Sequence, residues 1–185
     1  TTLVYQSPNA CNLCHTNKDA AWADQLVREW HKDDYQKPVL ERASLIAAAR
    51  RQDWKKLQDI LAYLSNPKRE ETHTTSLIRL LRPCAAQEKW PVLRRLMDDS
   101  SPLVRASVAE ALGESADPLN TALLVKAASD DFRLVRVRAA SSIAGRTETE
   151  IPPEYQAKVR AAVAELVESQ QSRPDDMGAH YNLGN

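Results

Sequence analysis

The sequence predicts an all-α protein built from stacked helix pairs. Gly is rare, at 4 of 185 residues, and a hydrophobic fraction of 43% is enough for a continuous core. Apolar residues recur every three or four positions through stretches rich in Ala, Leu, Arg and Glu, the period of amphipathic helices, and no alternating Val, Ile or Thr pattern marks a strand. Four segments also resemble one another: residues 38–45, 71–77, 102–108 and 136–141. Registered on Arg42, His73, Arg105 and Arg138, they are spaced by 31 (73−42), 32 (105−73) and 33 (138−105) residues, a nearly fixed period.

Taken in order, Ser7-Pro8-Asn9 forms a turn, Cys11-Asn12-Leu13-Cys14-His15 follows, and Asn17-Lys18-Asp19 leads into an amphipathic run over residues 20–31. Trp22, Leu26 and Trp30 fall four apart on one face of that helix. They are expected to join the core rather than to cover a cofactor. Each repeat then pairs its first helix with a companion, over residues 54–64, 90–97 and 119–128. Cys84, alone after Pro83, is expected to be a small buried core residue. A further helix over 154–171 is introduced by Ile151-Pro152-Pro153 and broken by residues 172–176, after which the chain restarts. The expected regions are 1–37, 38–150 and 151–185.

The repeated pattern, with Pro102-Leu103-Val104-Arg105-Ala106 as its clearest copy, resembles HEAT-like repeats over roughly residues 38–147. That resemblance implies short antiparallel helix pairs stacked into a solenoid, where each pair buries its apolar face against its neighbours. The recurring Arg is expected to be structural, bonding helix ends and acidic turns such as Asp98-Asp99 and Asp130-Asp131, rather than to line an anion site. Residues 179–185, Ala-His-Tyr-Asn-Leu-Gly-Asn, resemble the first helix of a tetratricopeptide repeat.

The chemistry concentrates in residues 11–15. Two thiols separated by two residues can add to the two vinyl groups on one edge of a porphyrin, and the following His15 is then placed to be an axial ligand of the iron. Cys11, Cys14 and His15 are therefore the expected attachment site of one covalent haem c, with His15 as the metal ligand. Other uses of the same residue types stay open. A thioredoxin-type dithiol normally heads a helix after a strand, a context this sequence lacks. A closed zinc site needs four ligands, and no second Cys/His cluster accompanies the first. A Cys11–Cys14 disulfide would close a very short loop.

Residues 8–23, then Arg28-Glu29-Trp30, then HEAT-like units, then a tetratricopeptide start resemble the C-terminal part of bacterial multihaem cytochromes c. The resemblance implies an electron-transfer module on a helical scaffold, partnered by redox proteins or by upstream haem domains of the same chain, in the periplasm or outside the cell. The segment Thr1–Tyr5 shows neither an initiator Met nor a signal peptide, and the last ten residues begin a helix and stop, so a piece of a longer polypeptide is expected. The second axial ligand is expected to be a His of that upstream region, with His73, Met97, Met177 and His180 left open because each fits a repeat position or a helix face without a metal. His31 is not expected to fill the role, because it follows His15 by 16 residues (31−15) of largely helical chain.

Lys plus Arg equals Asp plus Glu at 25 each, so no net field draws the chain to nucleic acid or an anionic membrane. No apolar run approaches the roughly 20 residues of a membrane span. No Ser-His-Asp order, paired-carboxylate site or Gly-rich phosphate loop marks a catalytic centre, and any oxidoreductase activity would belong to a longer protein. The alternative function is a helical-repeat interaction module in which the haem motif is unoccupied or dispensable.

Overall fold

A computed structural model describes residues 2–31, 33–34, 36–144 and 151–184, and every regular element among them is helical. The ends of the expected repeat region, at 147 and 150, and Asn185 of the expected tetratricopeptide start lie outside the described residues. The chain divides into two compact units, up to Leu57 and from Gln58 onward. In the first, α1 (Thr2–Tyr5) and α2 (Cys11–Cys14) are single turns, α3 (Ala20–Trp30) and α4 (Lys37–Arg50) are longer, and a 3-10 turn covers Trp54–Lys56. The division falls 20 residues after the expected boundary at 37 (57−37). The reason is that α4, expected to open the first repeat, buries Ala48 and Ala49 and contacts the 3-10 turn of its own unit.

The second unit holds α5 (Leu57–Ser65, whose first residue closes the first unit), α6 (Glu71–Leu80), α7 (Lys89–Arg95), α8 (Pro102–Leu112), α9 (Pro118–Ala127), α10 (Arg133–Ile143), α11 (Pro153–Gln171) and α12 (Met177–Leu183). Helices α6, α8, α10 and α11 pack side by side in one layer, while α7 and α9 lie against α8 and α10 respectively. Sequence punctuation explains the breaks. Ser101 and Asp117 accept hydrogen bonds from the first free N–H groups of α8 and α9, each followed by Pro at the first helical position. Leu77, Ile78, Leu93, Leu112, Leu124 and Val135 are fully buried in this unit. Helix α11 continues the layer and α12 packs on α11, so the segment expected as a separate C-terminal region belongs to the same unit.

The register of the repeats differs from the expected one. Helices α6, α8 and α10 begin at 71, 102 and 133, so the period is constant at 31 residues (102−71 and 133−102). The counterpart of Arg105 is therefore Arg136, not Arg138, and the position before it is Thr74, not His73. The hydrogen bonds agree. Arg105 donates to the carbonyls of Asp99 and Ser100, at 2.7 and 3.2 Å, and grips both oxygens of Asp130 at 2.8 Å. Arg136 donates to the carbonyls of Asp130 and Asp131, at 2.8 and 3.0 Å, and grips Glu165 of α11. Each guanidinium thus satisfies the turn before its helix and a carboxylate farther along the stack, the structural role expected of the repeated Arg. Arg138 instead meets Glu110 at 2.8 Å with 42% of its side chain exposed. Arg138→Ala should cost under about 1 kcal/mol in urea unfolding, as exposed ion pairs do.

Small residues let α8 and α10 approach closely. Ala109 of α8 and Ala139 and Ala140 of α10 are fully buried, and Ser142 Oγ donates to the Ala109 carbonyl at 3.0 Å. A Cβ placed on Gly113, just past α8, would lie 2.8 Å from both Cβ and Oγ of Ser142. Gly113→Ala should therefore destabilise by roughly 1 to 3 kcal/mol through overpacking, measured as a lowered urea midpoint with an unchanged slope.

Cys84 is buried, as expected, next to a feature composition gives no hint of. The Lys89 ammonium is also buried and donates to the carbonyls of Leu81, Arg82 and Cys84, ending the chain segment after α6. Burial pushes it below the usual lysine value, opposed by its interactions with Cys84 and the Glu114 carboxylate.

Candidate functional site

The Cys-x-x-Cys-His motif occupies α2 and the residue after it. One helical turn puts residues three apart on the same face, so Cys11 and Cys14 share a face. Both are free thiols, Cys11 half-buried and Cys14 exposed. The turn is short and has no cap from its own N-cap residue, Ala10. Asn9 takes that role, its Oδ1 accepting from the Asn12 N–H at 3.0 Å while its Nδ2 donates to Asn12 Oδ1 at 2.7 Å. The Asn12 amide then reaches across the loop and donates to the carbonyls of Lys18 at 2.8 Å and Asp19 at 3.3 Å. Asp19 in turn caps α3 by accepting from the Trp22 N–H at 2.8 Å. The two spacer residues of the motif differ sharply: Asn12 is the knot of this network, and Leu13 is 76% exposed.

His15 leaves the turn with its N–H bonded to the Cys11 carbonyl at 2.9 Å. Its exposed imidazole packs on the half-buried Trp22 indole, with ring centroids 4.9 Å apart and planes at 59°. Among the described residues no hydrogen bond engages its ring nitrogens, so they are available to a metal. Of the other donors, His73 Nδ1 lies 3.0 Å from Glu70, His180 Nε2 lies 2.7 Å from the Pro174 carbonyl and Met97 is buried, whereas Met177 is 86% exposed. His31 caps the far end of α3, whose eleven residues make a rod of about 16 Å. Among the described residues no three His, Cys, Asp or Glu side chains gather where a metal ion could be held.

The expectation that Trp22, Leu26 and Trp30 join the core does not hold. Ala23 is the one buried residue of α3, Trp22 and Leu26 are half-buried, and Trp30 is 68% exposed. The polar residues between them, Asp24, Gln25, Arg28 and Glu29, pair along the helix itself through Arg28–Asp24 and Gln25–Glu29 bonds. The spacing of four gave Trp22 a helix face but not its partner, which is His15, seven residues earlier and outside the helix.

The donor set suits a covalently held porphyrin. A cleft of about 170 Å³ lined by Leu3, Pro8, Cys11, Ala23 and Val27 lies beside the motif, well below the 300 Å³ or more of ordinary cofactor pockets. It is too small for a macrocycle. The surface that carries Leu13, Cys14 and His15 is exposed.

Residues 57–144, from α5 to α10, match the HEAT repeats family. No curated protein and no solved structure matches the chain. The match and the fold together make this a helical-repeat protein over that region. Among the described residues no helix is long and apolar enough to cross a membrane.

Proposed function

We propose that this chain is an electron-transfer module of a multihaem c-type cytochrome, with one covalent haem on a helical-repeat scaffold. Cys11 and Cys14 hold the group by thioether bonds and His15 ligates its iron. The observation that carries the reading is the arrangement at α2, where two free thiols share one turn and the next residue offers an imidazole with unengaged nitrogens. When bound, haem c supplies reversible one-electron exchange between ferric and ferrous iron. The protein's part is binding and orientation. Asn9 and Asn12 hold the turn in shape, so the thiols and the imidazole keep one relative placement. The redox partners are other proteins or upstream haem domains, and the compartment is the periplasm or the cell exterior, where such thioether bonds are made. Helix α12 is assigned in the same proposal to the start of a tetratricopeptide repeat. Ala179, its small residue, is buried and Tyr181 is exposed.

The alternative, a protein-interaction module in which the motif is dispensable, is favoured by the HEAT match and by the exposed Leu119 and Phe132 on the repeats. Potentiometry separates the two. Protein matured in a periplasm should show one reversible one-electron wave followed in its visible spectrum, and His15→Ala should displace that wave while leaving helix content unchanged. A protein with no redox-active chromophore would favour the interaction module.

A further inference from the structure

We propose that Trp22 is the positioning residue for His15: its indole sets the plane in which the imidazole is offered to a bound iron. The inference rests on the haem reading above. The two rings lie 4.9 Å apart at 59°, within the tilted range preferred by aromatic pairs. Neither ring reaches this placement by a free side-chain swing alone, because the backbone under each is tied. The His15 N–H is bonded to the Cys11 carbonyl, and the Trp22 N–H to the Asp19 carboxylate. The loop between them is closed by Asn12, which donates to the carbonyls of Lys18 and Asp19. The imidazole and the indole therefore stand on one hydrogen-bonded frame.

A histidine ring turns about a broad terminal torsion unless something blocks it. In most metal sites a hydrogen bond from the second ring nitrogen does so, to a carboxylate or a carbonyl. Among the described residues no such bond reaches the His15 ring nitrogens, and the Trp22 indole packs against the ring. The same helix supplies an internal comparison. Trp30 shares a face with Trp22 but is 68% exposed, whereas Trp22 is half-buried with His15 as its aromatic partner. Aromatic character at position 22 thus has a job that position 30 does not share.

The test uses the full chain, haem-loaded in a periplasm, as wild type, Trp22→Ala, Trp22→Leu and Trp22→Phe. Intact mass comes first and tests the haem reading alone: one covalent haem in the wild type is expected, and its absence overturns that reading and this inference with it. Ferric electron paramagnetic resonance then reports the orientation of the axial imidazole. Trp22→Ala and Trp22→Leu should shift and broaden the signal, and Trp22→Phe should return it toward wild type. Leu keeps bulk without a ring face, so a merely structural role predicts Leu to behave like Phe. Should Trp22→Ala fail to fold or load, the Leu and Phe variants decide. A wild-type signal in Trp22→Leu, with covalent haem retained, overturns the inference and leaves the haem reading standing.

Discussion

On the proposed reading, the double substitution Cys11→Ala, Cys14→Ala should abolish covalent haem and leave the helical body folded. The side chains that make the core, Ile60, Leu64, Leu77, Ile78, Leu81, Leu93, Leu112 and Leu124, are fully buried and all belong to the unit that begins at Gln58. Each such side chain contributes on the order of 2 kcal/mol by leaving water. None of them comes from the motif's unit. Cys14 is exposed and Cys11 half-buried, and alanine is the best helix former, so α2 loses chemistry rather than structure. The far-ultraviolet dichroism should be unchanged and the urea midpoint should move by an amount equivalent to less than about 0.5 kcal/mol, the usual effect of a surface change. Loss of most of the helical signal would show instead that the cofactor organises the fold.

Arg105→Ala should lower stability by about 2 to 4 kcal/mol, several times the effect of Arg138→Ala. Arg105 and Asp130 are each only 13% exposed in their side chains, and the guanidinium also serves the carbonyls of Asp99 and Ser100 and stacks 5.5 Å from the Phe132 ring. Its removal leaves the Asp130 carboxylate little exposed and without its strongest partner, the case in which a broken ion pair costs most. The effect depends on pH in a stated direction. Burial raises the Asp130 carboxyl, but the Arg105 hydrogen bond, the Phe132 N–H and the charges of Arg105 and Arg136 outweigh it and hold the group below the ordinary carboxylate value. A depressed carboxylate contributes stability that is complete above its unfolded value and fades as pH falls through its folded one. Urea melts should therefore show the full gap between wild type and Arg105→Ala at pH 7. The gap should narrow below about pH 4. An equal gap at pH 7 and pH 3 would assign the loss to packing instead.

Much of this architecture is written in the chain because local signals coincide with it. Ser101-Pro102 and Asp117-Pro118 each place a capping side chain before a helix start, α6 and α8 begin where the repeated segments at 71 and 102 do, and α11 lies within a residue of the helix expected over 154–171. Register was less legible. The sequence offers Arg133, Arg136 and Arg138 within six residues, and a sequence cannot tell which of them faces the preceding turn. Only the start of α10 at Arg133 settles that Arg136 matches Arg105. In the unit before, the register position carries Thr74, whose hydroxyl bonds the Glu70 carbonyl at 2.7 Å, and the carboxylate of Asp99 is met from the loop by Arg69.

The candidate site divides in the same way. Cys11, Cys14 and His15 stand out as candidates because the chemistry proposed for them needs only five contiguous residues. The residues that hold them do not, since Asn12 reads as a spacer and Trp22 as a core residue. Asn12 bonds carbonyls six and seven positions away, and Trp22 packs against a ring outside its own helix, distances at which no helical or strand period operates.

Intact mass combined with a pyridine haemochrome spectrum, on the full chain produced in a periplasm with cytochrome c maturation, tests the central claim most directly. The expected result is a mass equal to the chain plus one haem, not extractable by acidified solvent, with the spectrum of a porphyrin bonded through two thioethers and both sites mapping to Cys11 and Cys14. A colourless chain of unmodified mass with both thiols titratable would contradict it.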